Sequence, residues 1–463
     1  MPSACRRHAG ARQGATGGLP RAIPLCEHGT ERNGLSSAQG VPHVTATSHP
    51  SAAAGIDLSD IEFWGRPPAE RQAAFATLRS RAEPPFFAEP ESPFEPGPGY
   101  YALVRHADVV EASRNPEVFS SGRGATQIID LPVEFNEYFG SMINIDDPRH
   151  ARLRRIVSRA FTPRMIKKFE DDVQRVAGQI VDDLLVTGPC DFVEQVAARL
   201  PLTIICRMMG VPDSSYDMVL RNTNTILSGF DPDFVSEDLG EAVGQVLAAG
   251  QELGDLVTGL AAERAEHPGD DLVSALATAN IDGEQLTTGE LASFFILLVV
   301  AGNETTRNAI SHSLALLTDY PEQRELLCSD FEARIGGAVE EIVRIASPVI
   351  FMRRTVTRDH TMNGHDYHEG DKAVLFYWSA NRDETVFTHP ERFDITRSPN
   401  PHVGFGAPGP HFCLGAHLAR REITVMLREL LTRVPGIRAA GPPDRLLSSF
   451  INGIKHLPCE FTT

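Results

Sequence analysis

His402-Val403-Gly404-Phe405-Gly406-Ala407-Pro408-Gly409-Pro410-His411-Phe412-Cys413-Leu414-Gly415-Ala416-His417-Leu418-Ala419-Arg420 is the stretch around which the rest of the chain reads as organised. Glycine and proline make its first part a loop, and its last part has the composition of an amphipathic helix. Cys413 falls just before that helix starts. A thiolate there faces first-turn N–H groups that lack a helical partner, and the positive end of the helix dipole. Both favour the anion and lower a thiol's pKa. Gly409 and Gly415 leave room for a flat ligand to approach the backbone. A lone cysteine is most often a small buried hydrophobe; one set in such a loop also suits a soft metal.

The remainder of the chain bounds the answer. It has 463 residues, 42% of them hydrophobic, enough for a large buried core. A net charge of −18 argues against nucleic acid or an anionic membrane as partner. The seven cysteines are scattered, odd in number and free of CxxC spacing, which fits a reducing cytosol and gives neither a zinc site nor a disulfide framework. No apolar run reaches the roughly 18–20 residues that span a bilayer, and residues 1–54 lack the apolar core of a signal peptide. The expectation is a soluble cytoplasmic protein. Residues 1–54, rich in Ala, Gly, Ser, Pro, Arg and His, read as a disordered N-terminal extension, and residues 55–463 as the working domain.

Taken in order, residues 60–65, 67–82 and 107–114 read as helices and 100–105 as a strand. Residues 119–145 mix Gly, Pro and aromatics in an irregular stretch, long enough to suggest a functional loop. Asp146-Asp147-Pro148-Arg149-His150-Ala151-Arg152-Leu153-Arg154 opens a helix on which His150 and Arg154, four apart, share one face. An imidazole and a guanidinium so placed make a carboxylate-binding pair. Residues 164–285 read as mostly helical, with 223–237 as a cap over the site. Thr287-Thr288-Gly289-Glu290 is a capping-box start, and the helix it opens should run to about Asp319, stopped by Pro321. Residues 291–301 are apolar nearly all round, as in a fully buried helix. Ala301-Gly302-Asn303-Glu304-Thr305-Thr306 then breaks that pattern. An acid and two hydroxyls inside a buried helix are costly unless partnered, and Gly302 and Thr305 should loosen the helical ladder.

Phe405-Gly406 followed by Gly409-x-His411-x-Cys413-x-Gly415 resembles the haem-binding signature of the cytochrome P-450 superfamily. The eight-residue step from Phe405 to Cys413 is one longer than the commonest form and resembles a bacterial branch acting on branched lipids and sterols. Ala301 to Thr306 resembles the family's oxygen-activation motif. Glu341-x-x-Arg344, then Pro390-Glu391-Arg392-Phe393, resembles its structural triad, which implies that Glu341, Arg344 and Arg392 lock the loop before the cysteine. The resemblance spans residue 58 to the end and implies a mainly α fold: one helical domain with small β-sheets and a long central helix over haem b. It implies Cys413 as the iron ligand, with His150, Arg154, Arg354 and His411 as further haem-binding residues. It gives Thr305 and Glu304 the catalytic roles of hydrogen-bond donor and, with waters, proton relay. Leu298, Ala301, Val349, Ile350 and Phe450 stand, by position, as an apolar substrate wall.

Residues 301–308, Met352-Arg353-Arg354, Ser379-Ala380-Asn381-Arg382-Asp383-Glu384 and Phe450-Ile451-Asn452-Gly453-Ile454-Lys455 look like the actinobacterial subgroup that hydroxylates methyl-branched lipids. The function this implies is hydroxylation of an aliphatic, methyl-branched or isoprenoid lipid with O2. NAD(P)H would supply electrons through a ferredoxin reductase and a ferredoxin. Sterol side-chain or specialised-terpenoid oxidation is the near alternative. A peroxygenase more typically lacks the acid–alcohol pair, and a non-catalytic haem sensor or carrier would need no such pair and, for sensing, would usually call for an output domain, which the sequence does not show. Basic residues Arg152, Arg155 and Arg159 on one helix and Arg420, Arg421 and Arg428 on another suggest where an acidic ferredoxin docks.

Overall fold

Caps and prolines set the helix limits in the computed structural model of the chain, which describes residues 55–462 apart from 93, 161–162, 229–230 and 279–284. The expected extension at 1–54 lies outside the described residues. In chain order, the first elements that position the site are α1 (Pro68–Arg79), β1 (Phe86–Phe87), β2 (Tyr100–Leu103), α2 (His106–Arg114), β3 (Phe119–Ser120) and α3 (Val133–Gly140). Then come α4 (Arg149–Ala160), α5 (Pro163–Thr187), β4 (Cys190–Asp191), α6 (Arg199–Met209), α7 (Tyr216–Leu227) and α8 (Leu239–Glu266). The last are α9 (Thr288–Asp319), α10 (Phe331–Ala346), β5 (Phe351–Val356), β6 (Lys372–Phe376), α11 (Ala416–Arg433), β7 (Arg438–Ala439), β8 (Ile454–His456) and β9 (Pro458–Glu460).

α9 is the axis. Its capping box is complete: the Thr287 hydroxyl accepts from Glu290 N–H and the Glu290 carboxylate accepts from Thr287 N–H. At 1.5 Å per residue its 32 residues cover roughly 48 Å. Its first half packs into a core with Ile205 and Met209 of α6 and Leu253 and Val257 of α8. Its second half, through Ile310, Leu314 and Leu317, packs into another with Val173 and Ile180 of α5, Ile342 of α10 and Met426 and Leu430 of α11. Each such side chain contributes about 1.5–3 kcal/mol of burial. α9 therefore joins two cores, which fixes whatever its middle residues present between them. The helix is continuous through Gly302 and Thr305, so the expected loosening does not interrupt it.

The main sheet has the order β1-β2-β6-β5-β3. β2 and β6 run parallel, with Tyr100 opposite Lys372, and the other pairs are antiparallel. Successive residues of β5 face opposite sides of the sheet, so Arg353 and Arg354 serve different places. The stretch at 119–145 is more ordered than expected. It holds β3, α3 and a 3-10 turn over Ser141–Asn144. Its organiser is the buried Arg353 guanidinium, which donates to the carbonyls of Arg123, Gly124, Ile128 and Ile129 and pairs with Asp130 at 2.9 Å. The Asn144 amide donates to Asn136 O at 2.9 Å and its carbonyl accepts from Ala125 N–H at 2.8 Å. No helix among the described residues is long and apolar enough to cross a membrane.

Candidate active site

Cys413 sits on a loop pinned from three sides. Its N–H donates to Phe405 O at 3.0 Å, closing the turn on itself. Val403 N–H donates to the buried side chain of Asn381 at 2.7 Å. Arg154, from α4, donates to the carbonyls of Pro410 at 2.9 Å and Phe412 at 2.7 Å. Asn381 also donates to Ser347 Oγ at 2.8 Å, so the loop is tied to the end of α10. The two glycines named from the sequence separate. A Cβ at Gly409 would lie 2.3 Å from Ser113 O, so this glycine serves a close chain approach to α2. At Gly415 a Cβ meets nothing within 4 Å, which leaves open space beside the cysteine.

Burial pushes the Cys413 thiol up; the backbone N–H groups of Gly415 and Ala416 and the charges of Arg154 and Arg420 oppose it without prevailing. The N–H groups at the helix start thus favour the thiolate, and burial favours the protonated thiol. A cation on sulfur removes that proton outright.

Beside the cysteine loop, His150, Arg154, Arg354 and His411 gather. The rings of His150 and His411 lie 4.4 Å apart. Burial, with the charges of Arg354, His150 and Arg154, pulls His411 down to about 2, so it stays neutral. Arg354 is buried and donates to Arg353 O at 2.7 Å. His150 Nδ1 meets the exposed Asp147 carboxylate at 3.2 Å, while its buried Nε2 has no partner. A carboxylate-bearing planar group fits this set: a soft sulfur ligand and, among the described residues, two guanidinium groups paired with no carboxylate and a buried ring nitrogen without a hydrogen bond. The expected His150–Arg154 pair is only partly available, because Arg154 already holds two loop carbonyls.

α9 supplies the facing wall. Among its buried neighbours Ala301 is exposed and Thr305 partly so, which marks a side of the helix turned to open space. Leu298, one turn earlier, is half-buried on the same run. The Thr305 hydroxyl donates to Ala301 O at 2.7 Å. Glu304 turns the other way. It is 1% exposed and accepts from Arg307, whose other nitrogen reaches Asn224 of α7 at 3.0 Å. Its second oxygen is buried without a partner. Burial pushes the Glu304 carboxyl up, and Arg307 opposes that rise. Acid and hydroxyl are sequence neighbours on different faces and share no hydrogen bond. Asn303 also reaches α7, donating to Thr223 Oγ1 at 3.2 Å.

Glu341 and Arg344 form a fully buried ion pair at 2.7 Å. Arg344 also donates to the carbonyls of Asn381, Pro390 and Arg392 at 2.8, 2.7 and 3.1 Å. Arg392 corrects the expectation: it joins through its backbone, and its side chain is exposed. The turn closed by Arg392 N–H on His389 O aims the carbonyl inward. The guanidinium that reaches Glu341 is Arg397, 3.2 Å from both carboxylate oxygens, with the Asn400 amide at 3.0 Å. Ile350 is a second correction. It is 0% exposed within the aromatic core of Trp64, Phe376 and Trp378, so it walls no cavity. Val349 is half-buried and bridges to Ile451, and Phe450 is half-buried, edge-on to Phe351 at 5.3 Å. Sequence reasoning missed Arg397 and Asn400, and quoted Arg353 in a motif without giving it a role. Asn381 lay within a quoted motif, but no periodicity marks it as a clamp.

Of the basic residues on α4 and α11, several are neutralised: Arg152 pairs with Glu290, Arg420 with Glu340 and Arg428 with Glu332, at 2.8, 2.5 and 2.9 Å.

Residues 256–434 match the family described as Cytochrome P450. A methyl-branched lipid omega-hydroxylase of Mycobacterium tuberculosis is 48% identical over 413 residues, 88% of this chain and 95% of that protein. A steroid C26-monooxygenase of Rhodococcus jostii is 38% identical over 436 residues, 92% of this chain and 88% of that protein. Among solved structures, a Mycobacterium marinum cytochrome P450 in complex with pseudoionone superposes with a TM-score of 0.83 at 42% identity, covering 90% of this chain and all of that one.

Proposed function

Because the chain belongs to the cytochrome P450 family and is a monooxygenase, we propose that it hydroxylates a methyl-branched or isoprenoid lipid near its chain end. The observation that carries the substrate class is the 48% identity, over 88% of the chain, to a methyl-branched lipid omega-hydroxylase. Sterol side-chain oxidation is the second reading, supported by the 38% identity to a steroid C26-monooxygenase.

Haem, when bound, supplies the redox centre at which O2 is activated and one oxygen atom is inserted into a C–H bond. The residues present fit it. Cys413 would be the ligand, and Arg354, His150 and Arg154 would offer positive charge and donors to its carboxylates, with His411 beside them. Thr305 presents a hydroxyl on the open side of α9. Its bond to Ala301 O holds the rotamer, and turning that hydroxyl outward offers a proton donor. Glu304, one residue away, is the acid of the relay; burial pushes its carboxyl up and Arg307 opposes that rise. Water between the two faces of α9 completes the relay, because the side chains do not touch. Leu298, Ala301, Val349 and Phe450 form an apolar wall that orients a hydrocarbon, as in most large ligand sites. NAD(P)H is the electron source, through a ferredoxin reductase and an acidic ferredoxin that docks over α4 and α11.

The test is a panel of branched fatty acids, isoprenoids and sterols, scored by the haem spectral shift on binding and by mass spectrometry of the product. Branched or isoprenoid chains should bind tightest and gain one oxygen at a terminal carbon. Sterols binding more than about tenfold tighter, which is about 1.4 kcal/mol, would replace the first reading with the second.

A further inference from the structure

Cys190 and Cys459 pack in the core shared by α5, α9 and α11, and the site described above uses neither. They are directly opposed residues of the antiparallel strands β4 and β9, in the sheet β4-β9-β7. Opposed residues of such a pair project from the same face with their Cβ atoms close. Here the two sulfurs approach to 3.8 Å. A disulfide needs Cα atoms about 4.4–6.8 Å apart and Cβ atoms about 3.5–4.5 Å apart, which a cross-strand pair supplies without moving the backbone. Cys459 is buried, while Cys190 is partly exposed and so reachable by a small oxidant. The surroundings hold the pair in register. Asp191, next to Cys190, accepts from the N–H groups of Val193 at 2.9 Å and Leu457 at 3.0 Å. Among the other described cysteines, Cys206 is buried in a separate core, Cys328 is exposed and Cys413 belongs to the active site.

We propose that Cys190 and Cys459 are an oxidative modification site, a thiol pair that a low-molecular-weight disulfide converts into a cross-strand staple. The Cys190 thiol attacks glutathione disulfide, releasing one glutathione thiol and leaving a mixed disulfide on Cys190. Cys459 then attacks the Cys190 sulfur, expelling the second glutathione. Two protein thiols are oxidised, one glutathione disulfide is reduced to two thiols, and both protons leave on glutathione. The bond joins positions 269 apart in sequence, a separation at which a cross-link restrains the unfolded chain strongly. It also fastens the strand that follows β8. That matters because Ile454 N–H donates to Asn308 of α9 at 2.9 Å and Asn452 O contacts His312 at 3.0 Å. Burial, the neighbouring Cys459 thiol and the carboxylates of Asp191 and Glu194 push the Cys190 thiol up to about 12, which makes the exchange slow at neutral pH.

The experiment incubates the full-length holoenzyme with glutathione disulfide, alkylates remaining thiols and maps peptides without reduction. A linked peptide pair containing Cys190 and Cys459, about 2 Da lighter than the sum of its halves and separated by dithiothreitol, is expected. The thermal unfolding midpoint should rise relative to reduced protein and fall back on reduction. Cys190→Ser should abolish both effects, and because Cys190 is partly exposed this variant tests the pair without disturbing the buried Cys459. Full alkylation of both cysteines, or a glutathione adduct on Cys190 that never resolves onto Cys459, would overturn the proposal. So would a link that leaves the midpoint unchanged.

Discussion

Thr305 and Glu304 divide the labour of a proton path. The hydroxyl faces the open side of α9 and the acid lies behind it, anchored by Arg307. Thr305→Ala removes a donor and leaves the packing of Glu304 in place. It should keep haem and substrate binding within about twofold of wild type, a difference of about 0.4 kcal/mol. Product formed per NAD(P)H should fall several-fold, with peroxide or water taking the balance. Unchanged coupling would show that the hydroxyl is only a helix residue. At this scale sequence reasoning named the right chemical types, because an acid beside a hydroxyl in an apolar helix is visible in one dimension. It could not place Glu304 on the far face. That depends on Arg307 and on Asn224 of α7, 83 residues away from Arg307 in sequence.

α10 and the loop before the cysteine form one element held by a single carboxylate. Glu341 accepts from Arg344, Arg397, Asn400 and the N–H of Asp394. Removing Arg397 leaves part of a buried charge without its partner, at a cost of about 1–3 kcal/mol. Removing Arg392 costs nothing on this scale, because its contribution is a backbone carbonyl that alanine retains. Arg397→Ala should therefore lower the thermal midpoint and speed haem loss, and Arg392→Ala should change stability by less than about 0.5 kcal/mol. The reverse order would reinstate Arg392 as the third member. Helix existence and type were legible from periodicity and caps, as with Thr287 and Glu290 on α9. The interior of 119–145 was not, because its order comes from carbonyls gathered around Arg353, a residue of the distant strand β5. Ile350 was misplaced for a related reason: an apolar residue beside a motif reads the same whether it faces a cavity or, as here, an aromatic core.

The molecule as a whole is acidic, at −18, yet α4 and α11 carry clustered arginines. Three of these are spent on Glu290, Glu340 and Glu332, and exposed ion pairs add little stability. They still shape the field that a partner meets. Reversing Arg155 and Arg421 together to Glu should slow ferredoxin-driven reduction several-fold at low ionic strength and much less at high salt, where the Debye length shrinks to about 3 Å at 1 M. Substrate affinity should not change; insensitivity at low salt would place the docking face elsewhere. Fold class was legible because four motifs occur in order along the chain. The charge compensation was not, because the acids that neutralise the arginines of α4 and α11 come from α9 and α10, distant in sequence.

The central claim is that Cys413 would hold the iron of a haem. The direct measurement is the absorption spectrum of purified protein reduced under carbon monoxide, for wild type and for Cys413→Ser. The wild type should show the red-shifted haem band from which the family takes its name, and Cys413→Ser should lose it while Cys206, Cys328 or Cys459 variants keep it. A Cys413→Ser protein that retains the band would contradict the account.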